Sequence, residues 1–427
     1  MKYLKRKTFR IFAIVLLSIV LLTGAGYLYL QHLISEVKQT LTGGMVDNKD
    51  FLNVVDFELV NNWIIVKVKL DESDKEYDFI FDSGAQTVIS DSLIKVANLQ
   101  NMKSINVKTD TTNNAFRNKI VSLDKLSLGN VNFSKVGALV VDNAEYKMLN
   151  CISPYGIIGY NVLQTCSFQI DYSKKQITIT DMVEKLDNYD QIEWSGYATI
   201  PPQETPIITA TLNDSIDVDL FFDTGFSGYV NISSSELFKK ALTDYPDQTA
   251  EFINRPTINL GGEEIDSYRK MYFKTNTLAM GPTHEEGLVI TAEDVAEGKY
   301  TGLIGSRYFM NYIITLDYQN KRVGFLPNKI ADQKPKTTFG FSFTPLYDKL
   351  FVNAVLVGSD AEKQGIHVGD EIVSVNGALI SDLPVDSFCR MYRGEFRLIP
   401  VGDESVAIEI LRDGEIFRFE LFRYDIF

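Results

Sequence analysis

The sequence predicts a mainly β protein of two duplicated lobes, preceded by an apolar N-terminal helix and followed by a small separate module. Three observations predict this. Segments around Asp82 and Asp223 match each other in order, spacing and residue type. Strand-favouring residues are plentiful, with 27 Phe and 21 Tyr. The 427 residues, 45% of them hydrophobic, are too many for one core and supply apolar material for several.

The duplication carries most weight. Phe79-Ile80-Phe81-Asp82-Ser83-Gly84 is followed by Thr87-Val88-Ile89-Ser90; Leu220-Phe221-Phe222-Asp223-Thr224-Gly225 is followed by Tyr229-Val230-Asn231-Ile232-Ser233. Each unit then has a second matching part. Gly156-Ile157-Ile158-Gly159 lies 74 residues after Asp82, and Gly302-Leu303-Ile304-Gly305 lies 79 after Asp223. Repetition of order and spacing reads as a duplicated lobe. Alternation marks strands, as in residues 63–70 and 176–180. Asp171–Lys175 and Asp317–Lys321 read as hairpin turns. Helices are few, at about 90–97, 159–165, 234–242 and 305–311. The lobes are assigned to residues 51–189 and 190–330, and a polar linker to 331–338.

The N-terminus is a targeting segment. Lys2, Lys5, Arg6, Lys7 and Arg10 make residues 1–10 a basic tail, and residues 11–30 carry no charge. About 20 apolar residues at 1.5 Å rise span a bilayer. The basic flank stays cytoplasmic, so everything after about residue 31, beginning with a linker at 31–50, is expected outside. An uncleaved transmembrane anchor is the favoured reading. The alternative is a cleaved signal, with Thr23-Gly24-Ala25-Gly26 as the cleavage region.

Composition excludes several functions. The formal charge is −14, although the N-terminal tail is basic, so nucleic acid is not an expected partner. Three cysteines, 151, 166 and 389, are too few for a disulfide scaffold; Cys151 and Cys166 either pair or stay as buried thiols. Only His32, His284 and His367 are present, which excludes a His-rich metal site, and neither of the last two lies in a nucleophile–base motif. No metal or cofactor is expected.

Two Asp-Ser/Thr-Gly loops, each followed by an apolar-apolar-Gly segment, resemble those of pepsin-like and retropepsin-like aspartic peptidases over residues 55–327. The resemblance implies a bilobal fold of two β-barrel-like lobes with Asp82 and Asp223 as the catalytic dyad. It makes Ser83, Gly84, Thr224 and Gly225 the supporting loop residues, the two hydroxyls reaching across to the opposite loop. It makes Ile157, Ile158 and Gly159, with Leu303, Ile304 and Gly305, the bracing residues. The chemistry suits paired carboxylates. Two of them about 3 Å apart share one proton, so one can deprotonate a water while the other polarises the scissile carbonyl. No acyl-enzyme is required.

Two positions depart from the family pattern. Many pepsin-like members carry Ser or Thr after the Gly, donating to an Asp oxygen; here Ala85 and Phe226 stand there. Losing those donors implies a raised dyad pKa and a working pH nearer neutral. Residues 106–122 read as a hairpin with polar tip Asp110–Asn114, either a flap over substrate or an ordinary surface hairpin.

After the linker, residues 339–427 resemble a PDZ domain of the kind attached to bacterial peptidases. The specific part is Gly365-Ile366-His367-Val368-Gly369-Asp370 through Asn376-Gly377. The resemblance implies that Gly340, Phe341, Ser342 and Phe343 form a loop binding a peptide C-terminus. His367 reads as a surface residue. The resulting expectation is a membrane-anchored aspartic endopeptidase, its catalytic part on the periplasmic or cell-surface side, with substrate peptides between the lobes. The rival is a non-catalytic, membrane-tethered peptide-binding adaptor on a degenerate peptidase fold. A zymogen losing residues 31 to about 50 is a third.

Overall fold

A computed structural model describes residues 23–24, 26–32, 34–35, 42–71, 73–97, 99, 104–109, 116–142, 147–201, 203–254, 269–296, 298–328, 337–346 and 348–427. The basic tail, most of the apolar segment, the hairpin tip Asp110–Asn114 and residues 331–336 of the linker lie outside the described residues. Among the described residues no helix is long and apolar enough to cross a membrane.

The chain is mainly β, and its two halves repeat one topology. In the first, Glu76–Phe81 runs parallel to Gly156–Ile158, and Val88–Ser90 pairs antiparallel on the other side of that strand. In the second, Ile216–Asp223 runs parallel to Gly302–Gly305, which Val230–Ser233 flanks antiparallel. A strand from late in each half is therefore inserted between the strand leading into the Asp and the strand leaving it.

A serine at the end of each repeat has a structural task. Ser90, which closes the first, and Ser234, one residue past the closing Ser233 of the second, accept a bond from the N–H three residues on and so cap the helices Asp91–Val96 and Ser235–Asp244.

A shared sheet joins the halves. Leu52–Val60, Gln176–Thr180 and Ser167–Asp171 continue into Tyr312–Asp317, Arg322–Pro327 and Glu193–Gly196, and Phe168↔Leu316 is one register pair across the boundary. One core lies beneath it. Phe81 meets Phe168 edge-on at 5.3 Å, and Phe222 stacks on Phe309 at 3.9 Å. Fully burying each such ring contributes roughly 1.5–3 kcal/mol.

The C-terminal module has its own core, including Leu350, Val352, Ile372, Ile408 and Ile410. It is attached to both halves. Thr249–Asn254 of the second half pairs with Lys349–Leu356 of the module. Cys389, on the helix Ser387–Tyr392, is disulfide-bonded to Cys151 of the first half, with Cα atoms 4.9 Å apart.

This corrects the cysteine reading. Cys151 pairs with Cys389, 238 residues away, and Cys166 is a buried thiol whose pKa burial pushes up. Sequence proximity suggested the wrong partner because the module's helix Ser387–Tyr392 packs back onto the helix Lys147–Ile152 of the first half. The expected linker also ends early, since Thr337–Thr338 form a strand with Tyr424–Asp425.

Candidate active site

Each Asp sits at the end of a buried apolar strand. The Asp82 N–H donates to the Ile158 carbonyl at 3.0 Å, and Asp223 stands in register with Gly305. The two loops then interlock. The Ser83 hydroxyl donates to the Phe222 carbonyl (2.8 Å) and accepts the Thr224 N–H (3.1 Å). Reciprocally, the Thr224 hydroxyl donates to the Phe81 carbonyl (3.1 Å) and accepts the Ser83 N–H (2.9 Å). Both side chains are wholly buried, so these four bonds leave neither hydroxyl unsatisfied.

The glycines permit the close approach. A Cβ on Gly84 would stand 2.6 Å from Cγ of Asp223, and one on Gly225 would run into the Asp82 carboxylate. Each carboxyl group thus lies against the glycine of the opposite loop. Asp82 accepts the N–H groups of Gly84 (2.8 Å) and Ala85 (3.0 Å), while Asp223 accepts that of Gly225 (2.9 Å).

The electrostatics differentiate the two. Burial raises the Asp82 pKa, against the lowering effect of bonds from Asp223, Gly84 and Ala85. Asp223 is raised well above the carboxylate range, first by burial and then by the Asp82 charge and their mutual bond. Both are raised, Asp223 the further, so of the two it is Asp223 that holds a proton the more tightly. Among the described residues no side-chain hydroxyl donates to either carboxylate.

The bracing segments touch the loops. Tyr160 N–H bonds the Ala85 carbonyl and Ser306 N–H bonds the Phe226 carbonyl, each at 2.8 Å. Gly159 N–H donates to the Thr87 hydroxyl (3.0 Å), whereas Gly305 N–H donates to the Tyr229 carbonyl (2.9 Å). Ile158 and Ile304 are fully buried behind the loops, Ile157 is buried and Leu303 is partly buried. His284 and His367 are exposed.

Four supporting residues were not visible in the sequence. Gln203 and Thr205, from the second half, donate to the carbonyls of Gly84 (2.9 Å) and Ser83. Trp63 and Asn62, from the first half, donate to the carbonyls of Gly225 (2.7 Å) and Ser227 (3.2 Å). Each half thus holds the other's loop from outside. These residues lie far from the loops in sequence and carry no motif.

In the C-terminal module, Gly340 has a left-handed φ of +84°, and its carbonyl accepts the Leu356 N–H at 2.8 Å. Phe341 is buried, Ser342 exposed and Phe343 partly buried. Phe341–Leu346 is an edge strand, pairing only with Lys349–Leu356 among the described strands. The strands expected around residues 106–122 are present as the hairpin Ser104–Thr109 with Phe116–Leu128.

Residues 66–162 match the family model of aspartyl proteases, and residues 315–395 match that of PDZ domains. The chain carries an aspartyl protease domain and a C-terminal PDZ domain. The protease match contains Asp82 and its bracing segment, while Asp223 lies beyond it. The PDZ match begins within the strand Tyr312–Asp317 and ends before the last strands of the module, Ser405–Arg412 and Glu415–Phe422. The chain is also similar to basic 7S globulin from soybean, at 9% identity over 64% of this chain and 94% of that one, with a TM-score of 0.36. No curated protein matches it.

Proposed function

We propose that the protein is an aspartic endopeptidase whose dyad is Asp82 and Asp223. The observation that carries this reading is the pair of interlocked loops, which brings carboxyl groups from separate halves together, each packed against the glycine of the opposite loop. A structural carboxylate has no need of a second one raised in pKa beside it, and such pairs cluster at catalytic sites.

The ionised Asp82 accepts a proton from a water held between the carboxyls, and the water oxygen attacks the scissile carbonyl carbon. Asp223 donates its proton to the carbonyl oxygen as the tetrahedral intermediate forms. Collapse breaks the C–N bond: the proton now on Asp82 passes to the leaving amine, and a hydroxyl of the intermediate returns its proton to Asp223 as the carbonyl re-forms, which restores the starting dyad. The substrate is a peptide lying between the halves. A peptide C-terminus beside Phe341–Leu346 would recruit substrate or regulate access. The basic tail and apolar residues 11–30 support anchoring in a membrane, with the peptidase on the extracytoplasmic side.

The test is cleavage of a peptide library by the full chain in detergent, beside Asp82→Asn and Asp223→Asn. Cleavage by the wild type alone is expected. A wild type as inactive as both variants points to the adaptor, and activity surviving both substitutions removes the dyad.

A further inference from the structure

Asn61, Asn62 and Trp63 are consecutive residues that bond in two directions. They form the two-residue turn and first strand residue of the hairpin Leu52–Val60 with Trp63–Leu70, closed by the pair Val60↔Trp63. Asn61 and Asn62 hold left-handed φ of 46° and 72°, as a tight turn between twisted strands requires. The Asn61 amide donates outward to the Tyr392 carbonyl of the PDZ module at 2.9 Å. Asn62 and Trp63 donate inward to the Ser227 and Gly225 carbonyls of the second active-site loop.

The module is held firmly at this point. Tyr392 ends the helix that carries Cys389, the disulfide partner of Cys151. The Arg393 guanidinium donates to the Cys151 carbonyl at 3.4 Å. The Tyr392 hydroxyl donates to the Pro345 carbonyl, on the strand expected to receive a peptide. Its ring packs against the buried cluster of Val60, Ile65, Ile80, Ile152 and Ile157, against which Trp63 and, from the first active-site loop, Ala85 also pack. The module is also paired to the second half through Thr249–Asn254.

We infer that the PDZ module positions the catalytic loops through this turn, with Asn61, Asn62, Trp63 and Tyr392 as positioning residues. A displacement of the helix Ser387–Tyr392 passes to a short, stiff turn and from there to the carbonyls of Gly225 and Ser227. Gly225 also packs directly on the Asp82 carboxylate, so a small shift there alters the spacing of the dyad. The inference rests on the peptidase reading for its catalytic consequence.

The test uses the full chain with Asn61→Gly and Trp63→Phe. The first keeps the left-handed turn and removes the bond to the module. The second keeps an aromatic ring and removes the donor to Gly225. Hydrogen exchange of the amides of residues 225–228 is measured beside kcat and KM for a cleaved peptide. Both variants are expected to exchange faster there and to lose about ten- to a hundredfold in kcat, with KM within about twofold. Wild-type exchange in Asn61→Gly overturns the inference, as does faster exchange with unchanged kcat. If the wild type cleaves nothing, the peptidase reading fails, and the exchange of Asn61→Gly alone decides whether module and loop are coupled.

Discussion

The two active-site loops share a backbone plan and differ in what braces them. The first rests on buried side chains. The Thr87 hydroxyl and N–H both donate to Oδ1 of Asn161, whose amide donates to the carbonyls of Gly43 and Gly137. In the second, the residue two past the bracing glycine is Arg307 instead of Asn161. It is exposed, its guanidinium lies over the Tyr229 ring at 4.9 Å, and the loop is held by the carbonyls of Phe226, Gly228 and Tyr229. The first loop presents two backbone donors to its ionised Asp. The second has the more strongly raised carboxyl and is bonded by Asn62 and Trp63, the neighbours of Asn61, which bonds the PDZ module. The duplication has thus left one loop braced by a buried side chain and the other braced by backbone.

The sharpest break of this comparison comes from the dyad. Asp82→Asn and Asp223→Asn are each expected to lower kcat by at least about a thousandfold, since each removes one partner of the proton transfer. They should differ in stability. A carboxyl with a raised folded pKa favours the folded state at low pH, and that benefit is lost as pH rises through the folded pKa. Asp223, the more strongly raised, therefore opposes folding at neutral pH, and Asp223→Asn should raise the Tm there. The gain is roughly 2–4 °C for each kcal/mol of relieved repulsion and desolvation. A lowered Tm at neutral pH would contradict the proton assignment.

Next in size is the interlock. Ser83→Ala and Thr224→Val each leave a buried carbonyl and N–H of the opposite loop without their partner. Each is expected to destabilise by about 2–4 kcal/mol, read from denaturant midpoints. Ser83→Thr and Thr224→Ser keep the hydroxyl and should retain most of that stability. Equal loss in the conservative pair would mean that packing, not hydrogen bonding, holds the loops together.

Much of this site was legible in sequence. Asp82, Ser83 and Gly84, with Asp223, Thr224 and Gly225, stood out because a tight turn bearing a carboxylate needs those residue types within three positions, and the duplication exposed them. The bracing glycines followed by spacing. What stayed hidden was non-local. Gln203 meets Gly84 across 119 residues and Trp63 meets Gly225 across 162, through one side-chain bond each. No periodicity encodes such a contact. The Cys151–Cys389 bond was missed for the same reason, because it depends on the module folding back onto the first half rather than hanging from a linker.

The braces themselves should respond unequally. Asn161 is fully buried with four hydrogen bonds, so Asn161→Ala is expected to cost about 2–4 kcal/mol and to reduce kcat by loosening the first loop. Arg307→Ala removes an exposed side chain and one ring contact, and should cost about 1 kcal/mol or less. Comparable losses at the two positions would remove the distinction between a side-chain-braced and a backbone-braced loop.

The smallest expected effect tests the electrostatic half of the comparison. Asp82 accepts only the N–H groups of Gly84 and Ala85 from its own loop, so Ala85→Ser places a third donor near the carboxylate that must be ionised. A hydrogen bond to the charged form lowers its pKa, and one such bond corresponds to about one unit. The acidic limb of the kcat/KM profile, which reports ionisation of the dyad, should therefore move down by about one unit or less. The alkaline limb, set by loss of the proton from Asp223, should stay near its wild-type position. Asp223 is pushed up by burial and by the Asp82 charge, and the substitution changes neither. The active pH range should widen on its acidic side only. Parallel movement of both limbs would mean that the proton is not localised on Asp223 and that the two loops, despite their different braces, are electrostatically equivalent.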